Sequence, residues 1–179
     1  MNEEQTDKNT SLKEKEKKQV SILRSGNSKA ILEILKELRT DGRNSILPEV
    51  IELMSGSENE EVKAACQSLL NDLKSQDSTD FLIAALKEPD YNNIRGELLS
   101  ACWQNALDYH PHILLFADLL IKEEYAASIE AYTLIENCLA HLDDKVIVQL
   151  ITTLTNGIGQ VSEEKKRLIE SLLGIIREY

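Results

Sequence analysis

His110-Pro111-His112, with His141 and the carboxylates Asp108 and Asp143-Asp144 nearby in sequence, is the one constellation in this 179-residue chain whose residue types could ligate a metal. A zinc site needs about four donors and hydrogen bonds that orient them, and His-x-His alone is a degenerate pattern. The simpler reading is a helix-start turn holding Pro111, with His141 near a helix carboxyl end, where an imidazolium is favoured. No metal and no cofactor is assigned.

Cys66, Cys102 and Cys138 are spaced 36 and 36, which invites a redox or metal reading. If they sit on neighbouring helices, the axes lie about 8–10 Å apart, beyond the roughly 7 Å Cα separation a disulfide spans. The expectation is three small, buried, apolar packing groups, slipping along successive helices. The acidic pairs Glu60-Glu61, Glu123-Glu124 and Asp143-Asp144 could do acid–base chemistry only where burial separates their pKa values. Adjacent acids in polar segments read instead as solvated charge and helix caps. No phosphate-binding loop, Gly-x-Ser-x-Gly, His-Glu-x-x-His, EF-hand loop or G-x-G-x-x-G occurs in the sequence, and none of these catalytic patterns directs the reading towards an enzyme.

Whatever these residues do, helices must position them. Eight aromatics, seven glycines and three prolines in 179 residues leave an aliphatic core and few of the turns a multi-stranded sandwich needs. The chain carries 20 Lys and Arg against 31 Asp and Glu, a net charge of −11. That field disfavours nucleic acid and anionic membranes as partners. Residues 1–20 and 161–179 are each neutral, so 22 acids against 11 bases lie on residues 21–160. No basic segment followed by a long apolar run opens the chain, which predicts a cytoplasmic, soluble protein.

Helix-spaced apolar residues recur in pairs of segments. The predicted organisation is a disordered polar tail at 1–10, a short leading helix and linker at 11–27 opened by the Ser11-x-x-Glu14 capping box, a repeat domain at 28–160, and a C-terminal capping helix at 161–179. Gly42 reads as a helix stop. Second-helix starts at Ser45, Thr79, Pro111 and Asp144 are spaced 34, 32 and 33. A period in the low thirties with two helices per unit is what stacked helical hairpins produce, because one hairpin cannot cover its own apolar face.

These units resemble HEAT repeats. Asn59-Glu60-Glu61-Val62-Lys63-Ala64-Ala65 and Asp90-Tyr91-Asn92-Asn93-Ile94-Arg95 resemble the opening of that family's first helix, and Ile46-Leu47-Pro48-Glu49-Val50-Ile51-Glu52-Leu53 the opening of its second. The likeness covers residues 28–160, although the fourth unit lacks the basic residue. It implies an all-α, right-handed α-solenoid of about four stacked hairpins plus the capping helix, with a concave face of second helices used to bind proteins. Armadillo-like and tetratricopeptide-like hairpins stay open; the latter is weaker, since the Trp-Leu-Gly-Tyr set is missing.

The expected function is a non-enzymatic protein-binding or scaffolding module for a basic protein or peptide. Chromophore-lyase-like and DNA-glycosylase-like members of the family supply the alternative, an enzyme or enzyme accessory, which the acidic body and missing motifs disfavour. Candidate interaction residues are Glu49, Glu52, Asp80, Lys87, Asp118, Lys122, Gln149 and Thr153 on the second helices, with Trp103, a residue type favoured in binding hot spots. Against this stand a merely solvated helix face for the polar set and partly buried packing for Trp103.

Overall fold

The computed structural model describes residues 3–41 and 44–178, with side chains described over 12–40 and 44–178. Within these residues the regular structure is helical, ten α-helices joined by short turns, with no strand. Gly42, read as a helix stop, and Tyr179, at the end of the capping segment, lie outside the described residues.

Helix α1 (Glu3–Leu23) starts well before the expected leading helix. Residues 3–10, anticipated as a polar tail, form its first turns, and Ser11, anticipated as its cap, lies inside it. Glu, Gln and Lys have high helix propensity, which carries the helix upstream without an apolar face. The chain then reverses at Gly26, whose φ of +71° is a left-handed conformation glycine adopts without a Cβ clash. Asn27 Oδ1 accepts the Ala30 amide at 3.2 Å and opens α2 (Ser28–Asp41).

Eight helices follow in the order of the expected pairs: α2 then α3 (Leu47–Gly56), α4 (Glu60–Asn71) then α5 (Thr79–Lys87), α6 (Arg95–Gln104) then α7 (Ile113–Lys122), and α8 (Tyr125–Cys138) then α9 (Asp144–Gly157); the main contacts run between these pairs, α3 against α4, α5 against α6 and α7 against α8. Helix α10 (Glu163–Ile176) closes the chain. Side-chain caps define three further starts. Asn59 accepts the Glu61 and Val62 amides at 2.9 and 3.3 Å, Asp143 accepts Val146 at 2.8 Å, and Ser162 accepts Lys165 at 3.5 Å.

The starts at Thr79 and Asp144 coincide with expectation, whereas those at Ser45 and Pro111 fall two residues early. Single 3-10 turns, Asn44–Ile46 and His110–His112, occupy those residues ahead of α3 and α7, and Gln76–Ser78 does the same ahead of α5. Likewise Asp90–Ile94, expected to open a first helix, belongs to the 3-10 segment Pro89–Ile94, in which Tyr91 is non-helical at φ −106°, ψ 19°. Asn92 and Asn93 are weak helix formers, and the tighter turn absorbs them.

The first helices form one continuous row: α2 packs on α4, α4 on α6, α6 on α8 and α8 on α10. The second helices lie beside them, α3 against α4 and α5, and α7 against α8 and α9, while α1 covers α2 and α3. Leu35, Val50, Leu70, Leu98, Phe116, Leu134 and Leu172 are buried along this stack, each side chain contributing roughly 1.5–3 kcal/mol by leaving water. Tyr109 meets Phe116 edge-to-face at 6.3 Å.

At its C-terminal end, α7 is tied down by α10. Lys165, only 7 % exposed, donates its ammonium to the Ile121 and Glu123 carbonyls at 2.5 and 2.6 Å. These are end-of-helix carbonyls that lack intrahelical partners, and a cation there also suits the helix dipole. Burial lowers the Lys165 pKa, with Glu123 and Glu124 opposing the shift.

Candidate interaction surface

The second-helix candidates separate into local groups. On α3, Glu49 accepts Nε and Nη2 of Arg24 at 2.7 and 2.6 Å, and Glu52 lies 4.0 Å from the same group. Together with Leu23, Ile31 and Leu53 they line a cavity of about 390 Å³ where α1 meets α3. The hydrogen bond from Arg24 to Glu49, then their mutual attraction, raises the Arg24 pKa. On α5, Asp80 and Lys87 act on the His112 ring with opposite signs. On α7, Lys122 pairs with Asp118 at 2.6 Å. On α9, the Thr153 hydroxyl donates to the Gln149 carbonyl at 2.9 Å. Much of the acid on this row is therefore balanced by a neighbouring cation.

Trp103 belongs to the other row. It sits on α6, half-buried, and its indole N–H donates to Glu130 Oε2 of α8 at 2.5 Å. Beside it Cys102, Tyr109, Leu134, Cys138 and His141 line a groove of about 520 Å³. Ala106, also in its wall, holds a left-handed φ of 55°, a conformation that crowds an L-residue's Cβ.

The histidines meet in part. His110 and His141 have ring centroids 6.2 Å apart, and His110 Nδ1 lies 2.6 Å from Asp108 Oδ1. His112 lies among the charges of Lys87, Asp80 and His110, and burial, followed by the field of Lys87, lowers its pKa. Burial alone would raise the Asp108 carboxyl, but hydrogen bonds from the His110 ring and amide outweigh it and hold the group below the usual carboxylate range. Among the described residues no three of His, Cys, Asp and Glu are grouped so as to hold a metal ion.

All three cysteines are free and buried. Burial pushes Cys66 and Cys102 up to about 12 and Cys138 to about 11, which suppresses the thiolate at neutral pH. They occupy α4, α6 and α8, successive members of the first row.

Sequence reasoning missed the outer side of that row. Two shallow grooves of about 260 and 380 Å³ share Gln67 and Glu97 and run across α4, α6 and α8. Small residues form part of the lining, Ala64 in one groove and Gly96, Ala126 and Ala127 in the other, with the carboxylates Glu60, Glu97 and Glu130 around them. Glu97 and Glu130, 33 residues apart, repeat at the unit period, a signal present in the sequence. The HEAT likeness points instead to the second helices.

The chain matches no protein-family model, no curated protein and no solved structure. What the geometry defines is a class: an all-α protein of mutually packed helices. Among the described residues no helix is long and apolar enough to cross a membrane.

Proposed function

We propose that this chain is a non-enzymatic protein-binding or scaffolding module of the HEAT-like kind, a right-handed solenoid of four stacked hairpins closed by α10, acting in the cytoplasm on a basic protein or peptide. One observation carries the repeat reading. Polar side chains join residues about one unit apart along the stack: Asn59 to Ser28, Asn71 to Gln104, and Gln76 to Asp108 by paired bonds, at separations of 31, 33 and 32 residues. Such equivalence is what a repeat of about 33 residues requires, each hairpin meeting its successor through the same positions.

The charge supports the choice of partner. The acidic excess lies on the helical pairs, between two neutral ends, and a field of that sign attracts basic surfaces and repels nucleic acid.

Two measurements test the reading. Solution scattering is expected to give a radius of gyration clearly above the roughly 16 Å that size scaling assigns to a compact domain of this length. Immobilised protein in about 50 mM salt is expected to retain a defined basic protein that elutes as salt screens the contact. Tight, salt-sensitive binding to duplex DNA with no protein partner would overturn it.

A further inference from the structure

We propose that two copies of this chain associate through the outer face of α9, the last helix of the second row, which packs antiparallel against the same helix of the second copy about a two-fold axis. Such a dimer is independent of which protein the module binds, and its absence would leave that reading intact.

Position in the stack leaves this face uncovered. On the second row α3 has α5 packed against it and α7 has α9, and at the other end α1 covers both α2 and α3. Helix α10 continues the first row against α8 and also touches α9, but among the described residues no second-row helix follows α9. Burial differs accordingly. Of its 14 residues α9 buries only Leu150, Leu154 and Gly157, whereas the 10-residue α7 buries five. Val148 is 62 % exposed, the most exposed large apolar side chain among the described residues, and Ile147 and Ile151 beside it are only half-buried. Val148, Thr152 and Thr155, all exposed, follow one another at helical spacing and so form one stripe.

The face is also uncharged. From Val146 to Ser162 the chain has no acidic or basic residue, whereas α3, α5 and α7 expose Glu52, Asp80, Lys87 and Lys122. Charge therefore selects the occupant. A basic segment finds no acid on this stripe and would shed water from its cations there without compensation. A second copy presents the same neutral stripe. Two chains of charge −11 that approached through the other helices of residues 21–160, which carry the excess acid, would set like charges together. On α9 they meet without that repulsion. Antiparallel packing further keeps the two Asp143-Asp144 pairs at opposite ends of the contact and opposes the helix dipoles.

The threonines are suited to losing water. Thr152 donates its hydroxyl to the Val148 carbonyl at 2.7 Å, and Thr153 to that of Gln149 at 2.9 Å. With these protons satisfied inside the helix, covering the stripe strands no hydroxyl donor on Thr152. A helix of 14 residues is about 21 Å long, so one helix pair covers less than the roughly 800 Å² per partner of a standard stable interface. The dimer is accordingly weak and reversible, with a dissociation constant of about 100 µM.

Sedimentation equilibrium of the full chain, from about 10 to 500 µM, tests the association. The average mass is expected to rise with concentration from 20.2 kDa towards twice that value and no further. Val148→Glu and, independently, Thr152→Glu set two carboxylates together at the contact and are each expected to weaken the dimer about tenfold. Ile129→Glu, at an exposed apolar position of α8, is expected to leave it unchanged. Thr152→Cys, midway along the stripe and so beside the two-fold axis, is expected to form a disulfide-linked dimer on mild oxidation, the three native cysteines being buried. All the substituted positions are exposed, and circular dichroism of each variant reports whether the fold is kept. A mass that stays at 20.2 kDa throughout would overturn the dimer, whatever other molecule covers the face. Growth beyond two chains, a dimer that both glutamate variants leave intact, or failure of Thr152→Cys to cross-link would overturn the two-fold contact on α9.

Discussion

Arg95 donates Nη1 to Glu123 Oε1 at 2.6 Å, with side chains only 12 % and 18 % exposed, and so fastens the start of α6 to the turn between α7 and α8. The Glu123 carbonyl simultaneously accepts Lys165 of α10. One residue thus connects three helical units through both its side chain and its backbone.

Removing one partner of this pair leaves the other charge largely shielded and unmatched. Glu123→Ala is expected to cost about 2 kcal/mol, less than a fully buried pair because some water reaches it. The double change Arg95→Met with Glu123→Ala is expected to cost less than the sum of the single changes. Urea denaturation of the four proteins measures the coupling, and additive effects would show that the contact contributes nothing.

Gly157 tests the contact between α9 and α7. A Cβ there would lie 2.7 Å from Ile121 Cγ1, and closer still to Cδ1. Alanine favours a helix over glycine by roughly 1 kcal/mol, but overpacking costs about 1–3 kcal/mol. Gly157→Ala is therefore expected to lower the melting temperature, and adding Ile121→Val, which removes Cδ1, to restore part of the loss. A rise in melting temperature for the single variant would show that Ile121 moves aside freely.

At Ala106 the opposite change stabilises. The left-handed φ of 55° costs an alanine about 1–2 kcal/mol relative to glycine, partly offset by the greater freedom of glycine in the unfolded chain. Ala106→Gly is expected to gain about 0.5–1 kcal/mol in denaturant titrations; a loss would mean that the methyl group packs usefully in its groove.

Acid should weaken the fold in two separate windows. The His112 pKa is lowered by burial and by Lys87, so the unfolded chain binds its proton first. That contribution is complete above the unfolded value of about 6.5 and is lost as pH falls towards the folded value. The Asp108 carboxyl is also lowered, held down by His110 against its own burial. Its contribution persists above the unfolded value of about 3.9 and disappears as pH falls through the folded one. His112→Gln is expected to flatten the stability profile just below pH 6.5 and leave the lower window intact.

The thiols give a chemical check on packing. With Cys66 and Cys102 pushed up to about 12 and Cys138 to about 11, a thiol-specific reagent at neutral pH is expected to label the native protein slowly and all three cysteines quickly in denaturant. Fast native labelling of Cys138 would identify local opening of the groove beside Trp103.

The helical character of this chain was legible locally. Aliphatic residues at helical spacing, the Asn59, Asp143 and Ser162 caps and the absence of strand-type turns act within a few residues, so α4, α5 and α9 begin within a residue of where the sequence places them and α10 within two. The 3-10 turns ahead of α3 and α7 were not legible, since tight turn and first helical turn favour the same residues. Tertiary structure alone decided what faces what. It set Trp103 against Glu130 and His110 against His141, drew Arg24 onto Glu49, and left Glu97 without a cation among the described residues. Hydropathy and propensity report how each residue treats its own helix and water. Which charge finds a partner depends on the packing of helices some thirty residues apart in sequence, and no local pattern contains that distance.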